Sequence, residues 1–308
     1  MAASATVVTT RNLAFSDLGG IALDLGNSDR KRMWGTKSWS ALNGTPVFDL
    51  QSALVSIGLL DAADGEFGPK TKIALQRYVW YRRNIDHALQ TPPQSSAVNG
   101  IITPTSPLLS GALPGTCDRG LACDLLGWKQ RNLVVTTPLV RASLASFSNI
   151  TLDAGFAPLD YPFSQPNEVL LHPDFAGVLA VMDGEAAKAN VSIRLTQALR
   201  REGFAVTGAI VHPAGNSAHF VGRAVDWKVV DGNLVVGGAQ FLAGKQTKAA
   251  DLFVQGVKAQ GYRWGGDFGD VDPVHFDDNP YSNIQKYSMT RFFVQQSYRA
   301  THPMRLLS

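Results

Sequence analysis

The sequence predicts a chain in two parts: a small all-α unit, then an α+β unit in which a small antiparallel sheet is flanked by helices. Three observations carry this. Residues 47–58 and 69–83 place apolar side chains at helical spacing. Residues 224–230 alternate and are rich in valine, and Asp231-Gly232 turns the chain into the return run Leu234-Val235-Val236, a hairpin. Helical segments on either side, near 175–186 and 246–259, supply layers to cover such a sheet.

Composition bounds the function. The 308 residues, 45% hydrophobic and 17% charged, suffice for two or three compact units with proper cores. A net charge of +3 with no lysine–arginine block argues against nucleic acid as a partner. No apolar run approaches a membrane span, so no membrane insertion is expected, and a monomer is expected. The N-terminus lacks a basic start followed by an apolar core, so no secretory signal is expected.

In chain order, residues 1–45 show no periodicity and are punctuated by Gly19-Gly20, Asn27 and Asn43-Gly44; they read as a partly ordered lead-in. The helical unit spans 46–90. Its first helix carries Val47, Leu50, Leu54 and Ile57 on one face and ends at Gly58, a natural C-cap. Asp64 to Thr71 make a tight turn, and a second helix runs from about Pro69, tolerated in a first turn, to Arg83. Leu50, Leu54, Phe67, Ile73 and Leu75 are the expected core. Residues 91–165 read as a linker and irregular region, opened by Thr91-Pro92-Pro93 and rich in proline and glycine through Gly115. Cys117 and Cys123 could close a small disulfide loop or remain two buried thiols; further ligands for a thiolate zinc site are not evident nearby. That region is assigned no chemistry.

The second unit spans 166–308. Phe175, Val178, Leu179, Met182 and Ala186 fall on one helical face. His172 precedes a proline at that helix's start and reads as structural; His212, also before a proline, reads as a bystander. Gly261 ends the later helix, Trp264 either lines a cleft or joins the core, and the tail after Pro280 forms a closing helix with Phe292, Phe293 and Tyr298. His302 in that tail is a surface residue.

Chemistry concentrates in two blocks. Between Ser217 and Asp226, His219 lies on the loop entering a strand and Asp226 within it, so the pair can approach one metal ion from two sides. A catalytic zinc takes three protein ligands and keeps a position for water. His275 is the best third ligand, and Asp272, three residues earlier, is placed to act on the water instead of the metal. A His–Asp pair alone means little among six histidines; the paired blocks change that.

The pattern S-x-H-x-x-G-x-A-x-D at 217–226, with W-G-G-D-F at 264–268 and D-x-x-H-F at 272–276, resembles the zinc peptidases that cut bacterial peptidoglycan peptides. That family includes D-alanyl-D-alanine carboxypeptidases and phage L-alanyl-D-glutamate endopeptidases, and the D-x-x-H-F form is more similar to the latter. The resemblance implies Zn2+ held by His219, Asp226 and His275, with Asp272 as catalytic base. Residues 191–200 resemble the family segment ending in an arginine. This implies that Arg200 holds the scissile carbonyl oxygen as it becomes an oxyanion, or docks a substrate carboxylate. The segment 201–216 is shorter than the loop of many relatives, which alters one cleft wall.

Residues 47–75, V-x-x-L-Q-x-x-L-x-x-x-G then D-G-x-F-G-P-x-T-x-x-A-L, resemble the three-helix peptidoglycan-binding module found beside wall hydrolases. The resemblance implies a wall-binding groove beside the D-G-x-F-G turn. Together the two resemblances imply an endolysin-like zinc endopeptidase cutting the L-Ala–D-Glu bond of the stem peptide, from a phage lysis cassette or an antibacterial effector. Its partner would be bacterial peptidoglycan. Made in the cytoplasm without a signal peptide, it would be released by a holin or a secretion system. A D,D-carboxypeptidase of wall maintenance and an inactive wall-binding protein are the alternatives.

Overall fold

The computed structural model describes residues 46–86, 116–117, 119–133, 135, 137–156, 167–203, 215–296 and 305–307. They divide into two compact units, one up to Val135 and one from Thr136 onward. The lead-in 1–45, His212, Tyr298 and His302 lie outside the described residues.

The first unit contains α1 (Pro46–Ser56), α2 (Pro69–Tyr81), a π turn Arg82–Asp86, and α3 (Arg119–Gln130). In α1 the expected stripe Val47, Leu50, Leu54 and Ile57 is fully buried, and Gly58 leaves the helix at φ +85°, where glycine is favoured. The next turn is organised by one buried amide. The Gln51 side-chain oxygen accepts from the Asp64 and Gly65 N–H groups at 2.9 and 2.7 Å. Its NH2 donates to Asp64 Oδ1 at 2.8 Å and to the Glu66 carbonyl at 2.9 Å. A fully satisfied amide costs little to bury.

Two expectations for this unit need correction. Ile73 is 42% exposed, because the buried stripe of α2 runs through Thr71, Ala74, Leu75 and Tyr78 and leaves residue 73 on the far side. Helix α3 lies in the segment read as irregular. Leu121, Ala122, Leu125 and Trp128 are buried at helical spacing, a signal masked by the proline- and glycine-rich run ahead of it. Asp124 ties α3 down, accepting from the Tyr78 hydroxyl at 2.5 Å and from Arg82 Nε at 3.0 Å. The Trp128 ring meets Tyr78 and Tyr81 edge-on at 5.6 and 5.7 Å. Cys117 is buried; the Cys123 side chain, on which the disulfide alternative turns, lies outside the described residues.

The second unit runs β1 (Val140–Ser143), β2 (Ile150–Leu152), β3 (Glu168–Leu171), α4 (Pro173–Ala176), α5 (Val178–Ala189) and β4 (Ser192–Gln197). It continues with β5 (Ala224–Asp231), β6 (Leu234–Val236), α6 (Gly238–Leu242), α7 (Lys248–Ala259), β7 (Arg263–Trp264), β8 (His275–Asp277), α8 (Ile284–Gln296) and β9 (Arg305–Leu307). The predicted hairpin is β5–β6, turning at Gly232 with φ +57°. In place of one small antiparallel sheet there are two of mixed direction: β3-β1-β9, and β2-β4-β5-β8-β7 with β6 against β5. The pairs β1–β9 and β2–β4 are parallel. Strands β1 and β2 also fall in the segment read as irregular; they are too short to show an alternation.

Helices α5 and α7 share one core with the larger sheet, and Phe175, Val178, Leu179, Met182 and Ala186 are all buried as expected. Alternation along β5 sends Val225, Trp227 and Val229 into that core and Asp226 to the opposite face. Trp227 stacks on Phe276 at 4.9 Å and meets Phe253 edge-on at 5.2 Å. An aromatic cluster thus lies on the face of the sheet opposite Asp226. Among the described residues no helix is long and apolar enough to cross a membrane.

Candidate metal centre

Strand register brings the two blocks together. Asp226 in β5 lies directly opposite His275 in β8, and opposite Gln197 in β4 on its other side. Opposed antiparallel residues have Cβ atoms roughly 5 Å apart, so one register closes a gap that is wide in sequence. His219 arrives from a 3-10 turn, Ala218–Val221, just before β5. That turn ends at Gly222 with φ +67°, where a Cβ would lie 2.7 Å from Leu139 Cδ2 and 2.9 Å from the His172 nitrogen. Glycine is therefore required there on two counts, backbone conformation and space.

One nitrogen of each imidazole points inward. His219 Nδ1–H donates to the Ala198 carbonyl at 2.5 Å, which leaves Nε2 3.2 Å from Asp226 Oδ1 and 3.2 Å from His275 Nδ1. His275 Nδ1 is 3.0 Å from the same Asp226 oxygen, while its Nε2 faces Asp277 Oδ2 at 3.3 Å. Across His219, Asp226 and His275, all three donor atoms lie within 4.8 Å of one another. His219 and His275 are 2% and 8% exposed.

The electrostatics point the same way. Burial alone would raise the Asp226 pKa, yet His219 and His275 hold it far below the usual carboxylate range. Burial disfavours a charged His275, but hydrogen bonds to Asp226 and Asp277 outweigh it and push its pKa up to about 9. The centre thus calls for positive charge among its acceptors. Two imidazole nitrogens and one carboxylate oxygen, each imidazole held through its other nitrogen, form a donor set that fits zinc.

Asp272 and Arg200 belong to the same electrostatic neighbourhood. Burial and the Asp226 charge raise the Asp272 pKa, against the pull of His275, His219 and Arg200. Its backbone is braced from the 3-10 turn Gly265–Asp267 that follows β7: Asp272 N–H donates to the Gly265 carbonyl at 2.9 Å, and the His275 N–H to the Asp272 carbonyl at 3.2 Å. Trp264 Nε1–H donates to the Pro273 carbonyl at 2.8 Å. A Cβ on Gly265 would overlap the Asp272 carbonyl, and one on Gly266 would overlap the Trp264 ring. The Trp-Gly-Gly run is a steric device for seating the Asp272–His275 turn, and Trp264 acts through that turn.

Arg200 follows β4. Its Nε donates to Gln197 Oε1 at 2.9 Å, its Nη2 donates to the same oxygen, and Nη2 lies 4.0 Å from Asp226 Oδ2. Burial lowers its pKa, and Asp226 and Asp272 support its charge.

Several residues at the site were not anticipated from sequence. The closing helix α8 grips the His219 loop: Tyr287 Oη donates to the Ser217 carbonyl at 3.0 Å, and Arg291 donates to the Gly215 carbonyl at 3.1 Å. Gln295 Nε2 donates to the carbonyls of Phe220 and Arg200 at 2.7 and 3.1 Å. Asp277 and Arg263 sit behind His275. None carries a local pattern; only Asp277, two residues after His275 on a strand, could have been placed on its face by alternation. His172 is structural as expected. Its Nδ1 accepts from the Asp174 N–H at 3.2 Å to cap α4, and burial drives its pKa down to about 4.

Residues 211–278 match a peptidase family model described as D-alanyl-D-alanine carboxypeptidase. The match spans less than a quarter of the chain, includes His219, Asp226, Asp272 and His275, and leaves Arg200 and α8 outside it. No curated protein matches the chain.

Proposed function

We propose that the second unit is a zinc-dependent peptidoglycan endopeptidase that hydrolyses the stem peptide of the bacterial wall at the L-Ala–D-Glu bond. One observation carries the peptidase part of this reading: His219, Asp226 and His275 converge within 4.8 Å inside a segment that matches a family model described as D-alanyl-D-alanine carboxypeptidase. The D-x-x-H-F form of the last block is what favours the endopeptidase. His219, Asp226 and His275 would hold the zinc, which would supply a Lewis acid able to acidify water and polarise a carbonyl. Asp272 takes the proton of the attacking water and delivers it to the leaving amine as the C–N bond breaks, so that one peptide becomes a carboxylate and an amine. Arg200, anchored through Gln197, faces the oxygen on which negative charge develops.

In this reading the first unit anchors the enzyme to peptidoglycan, and the protein acts as a monomer. It serves as a phage endolysin or an antibacterial effector, released to the wall by a holin or a secretion system. A D,D-carboxypeptidase is the second reading, favoured by the description of the matched family model. Metal analysis together with mass spectrometry of digested sacculi separates them. Stems cut after L-Ala support the endopeptidase, free D-alanine supports the carboxypeptidase, and a zinc-loaded protein giving neither product overturns both. Asp272→Ala should keep its zinc and lose turnover by roughly a hundredfold or more; normal digestion by that variant removes Asp272 from the mechanism.

A further inference from the structure

We propose that Asp277 and Arg263 form a positioning pair that fixes the tautomer of His275 and thereby sets the affinity of the centre for its metal. The inference rests on the metal-centre reading above and extends it to residues outside the donor set.

Asp277 is 1% exposed and its four acceptor positions are filled. Oδ1 accepts from Arg263 Nε at 2.6 Å and from the Asn279 N–H at 2.9 Å. Oδ2 accepts from Arg263 Nη2 at 2.7 Å and faces His275 Nε2 at 3.3 Å. A carboxylate so occupied has no lone pair left for a cation, so it serves as an orienter and not as a fourth ligand. Because it can only accept, the facing Nε2 must carry the hydrogen, and the lone pair of His275 is confined to Nδ1. That is the nitrogen lying 3.0 Å from Asp226 Oδ1 and 3.2 Å from His219 Nε2.

Arg263 is the lock on this arrangement. It lies opposite Asp277 in the β7–β8 register, so the bidentate pair is a cross-strand pair set by the sheet. Its guanidinium carbon sits 4.8 Å from the Phe268 ring centre and 6.0 Å from that of Tyr281, and Phe268 in turn meets the His275 ring edge-on at 5.8 Å. A carboxylate partner of this kind raises the basicity of a metal-ligating histidine, and its loss costs roughly 10- to 100-fold in metal affinity.

The test is zinc affinity of the full chain, measured by competition with a chromophoric chelator, for the wild type, Asp277→Asn, Arg263→Gln and Asp153→Asn. The last removes a carboxylate paired with Lys228 on the same sheet and serves as the control. Asp277→Asn should weaken zinc binding about 10- to 100-fold and Arg263→Gln about tenfold, with Asp153→Asn unchanged. Recorded on zinc-free protein at alkaline pH, where the His275 ring is neutral, the nitrogen-15 spectrum should show a protonated Nε2 in the wild type and a mixture of tautomers in Asp277→Asn. If Asp277→Asn does not fold, Arg263→Gln decides, since that side chain is 37% exposed and its head can be replaced by water. Affinities equal to wild type in the folded variants overturn the positioning role and leave the peptidase reading standing. A wild-type protein that binds no zinc overturns both.

Discussion

Gly265→Ala tests whether the Trp-Gly-Gly run seats the Asp272–His275 turn. The added methyl carbon would stand 3.0 Å from the Asp272 carbonyl carbon, 3.0 Å from His275 Cβ, and closer still to the Asp272 oxygen. Real Cβ atoms essentially never approach within 3.0 Å of such neighbours, and the crowding atoms are the Asp272 carbonyl and the His275 Cβ, none of which can rotate away. The Asp272 carbonyl must retreat by about 1 Å, a displacement that costs roughly a hundredfold in rate when it moves a catalytic group. Stability should fall by about 1–3 kcal/mol, the usual cost of overpacking. The loss should appear in kcat, because in the proposed mechanism Asp272 works on the attacking water more than on the resting substrate. The assay is stem-peptide release from sacculi at saturating zinc, with thermal unfolding and zinc content measured on the same preparation. Gly269→Ala, where a Cβ meets nothing within 4 Å, is the control and should be silent. A Gly265→Ala enzyme with wild-type turnover would refute the seating argument outright.

The remaining predictions are briefer. Gly222→Ala combines a left-handed backbone with contacts of 2.7 and 2.9 Å, so it should destabilise the second unit by about 2–3 kcal/mol and weaken zinc binding through His219; chemical denaturation with chelator titration checks both. His172 titrates near pH 4 when folded and near 6.5 when unfolded, so the unfolded chain takes up the proton first on acidification. Stability from this residue is therefore complete above pH 6.5 and falls toward pH 4, by at most ~3 kcal/mol. His172→Asn, which can still cap α4, should flatten that part of the pH–stability curve. In the first unit, Asp124→Ala removes the carboxylate to which Tyr78 and Arg82 donate and should cost about 3 kcal/mol in thermal unfolding, whereas a change below about 0.5 kcal/mol would show that α3 is held by its apolar face alone.

Legibility followed the range of the physics. The stripe of α1, the capping Gly58, the β5–β6 hairpin and the buried face of α5 were readable because each depends on side chains a few residues apart. His219, Asp226 and His275 were readable as possible metal-ligating side chains, since imidazole and carboxylate in spaced blocks narrow the possibilities before any fold is known, and the fold brings the three together. Ile73 shows the limit: helical spacing named a face but missed its centre by one position. Helix α3 shows another, because a proline- and glycine-rich approach hid an apolar period that was present throughout.

What the sequence alone determined, then, were local elements and the kinds of atom available for a metal. Only the tertiary structure decided that Asp226 and His275 face each other, that Gly265 leaves room for the Asp272 turn, and that Asp277, Arg263 and helix α8 stand behind the ligands. Register and close approach are settled by the packing of elements remote in the chain, and no spacing within one element encodes them.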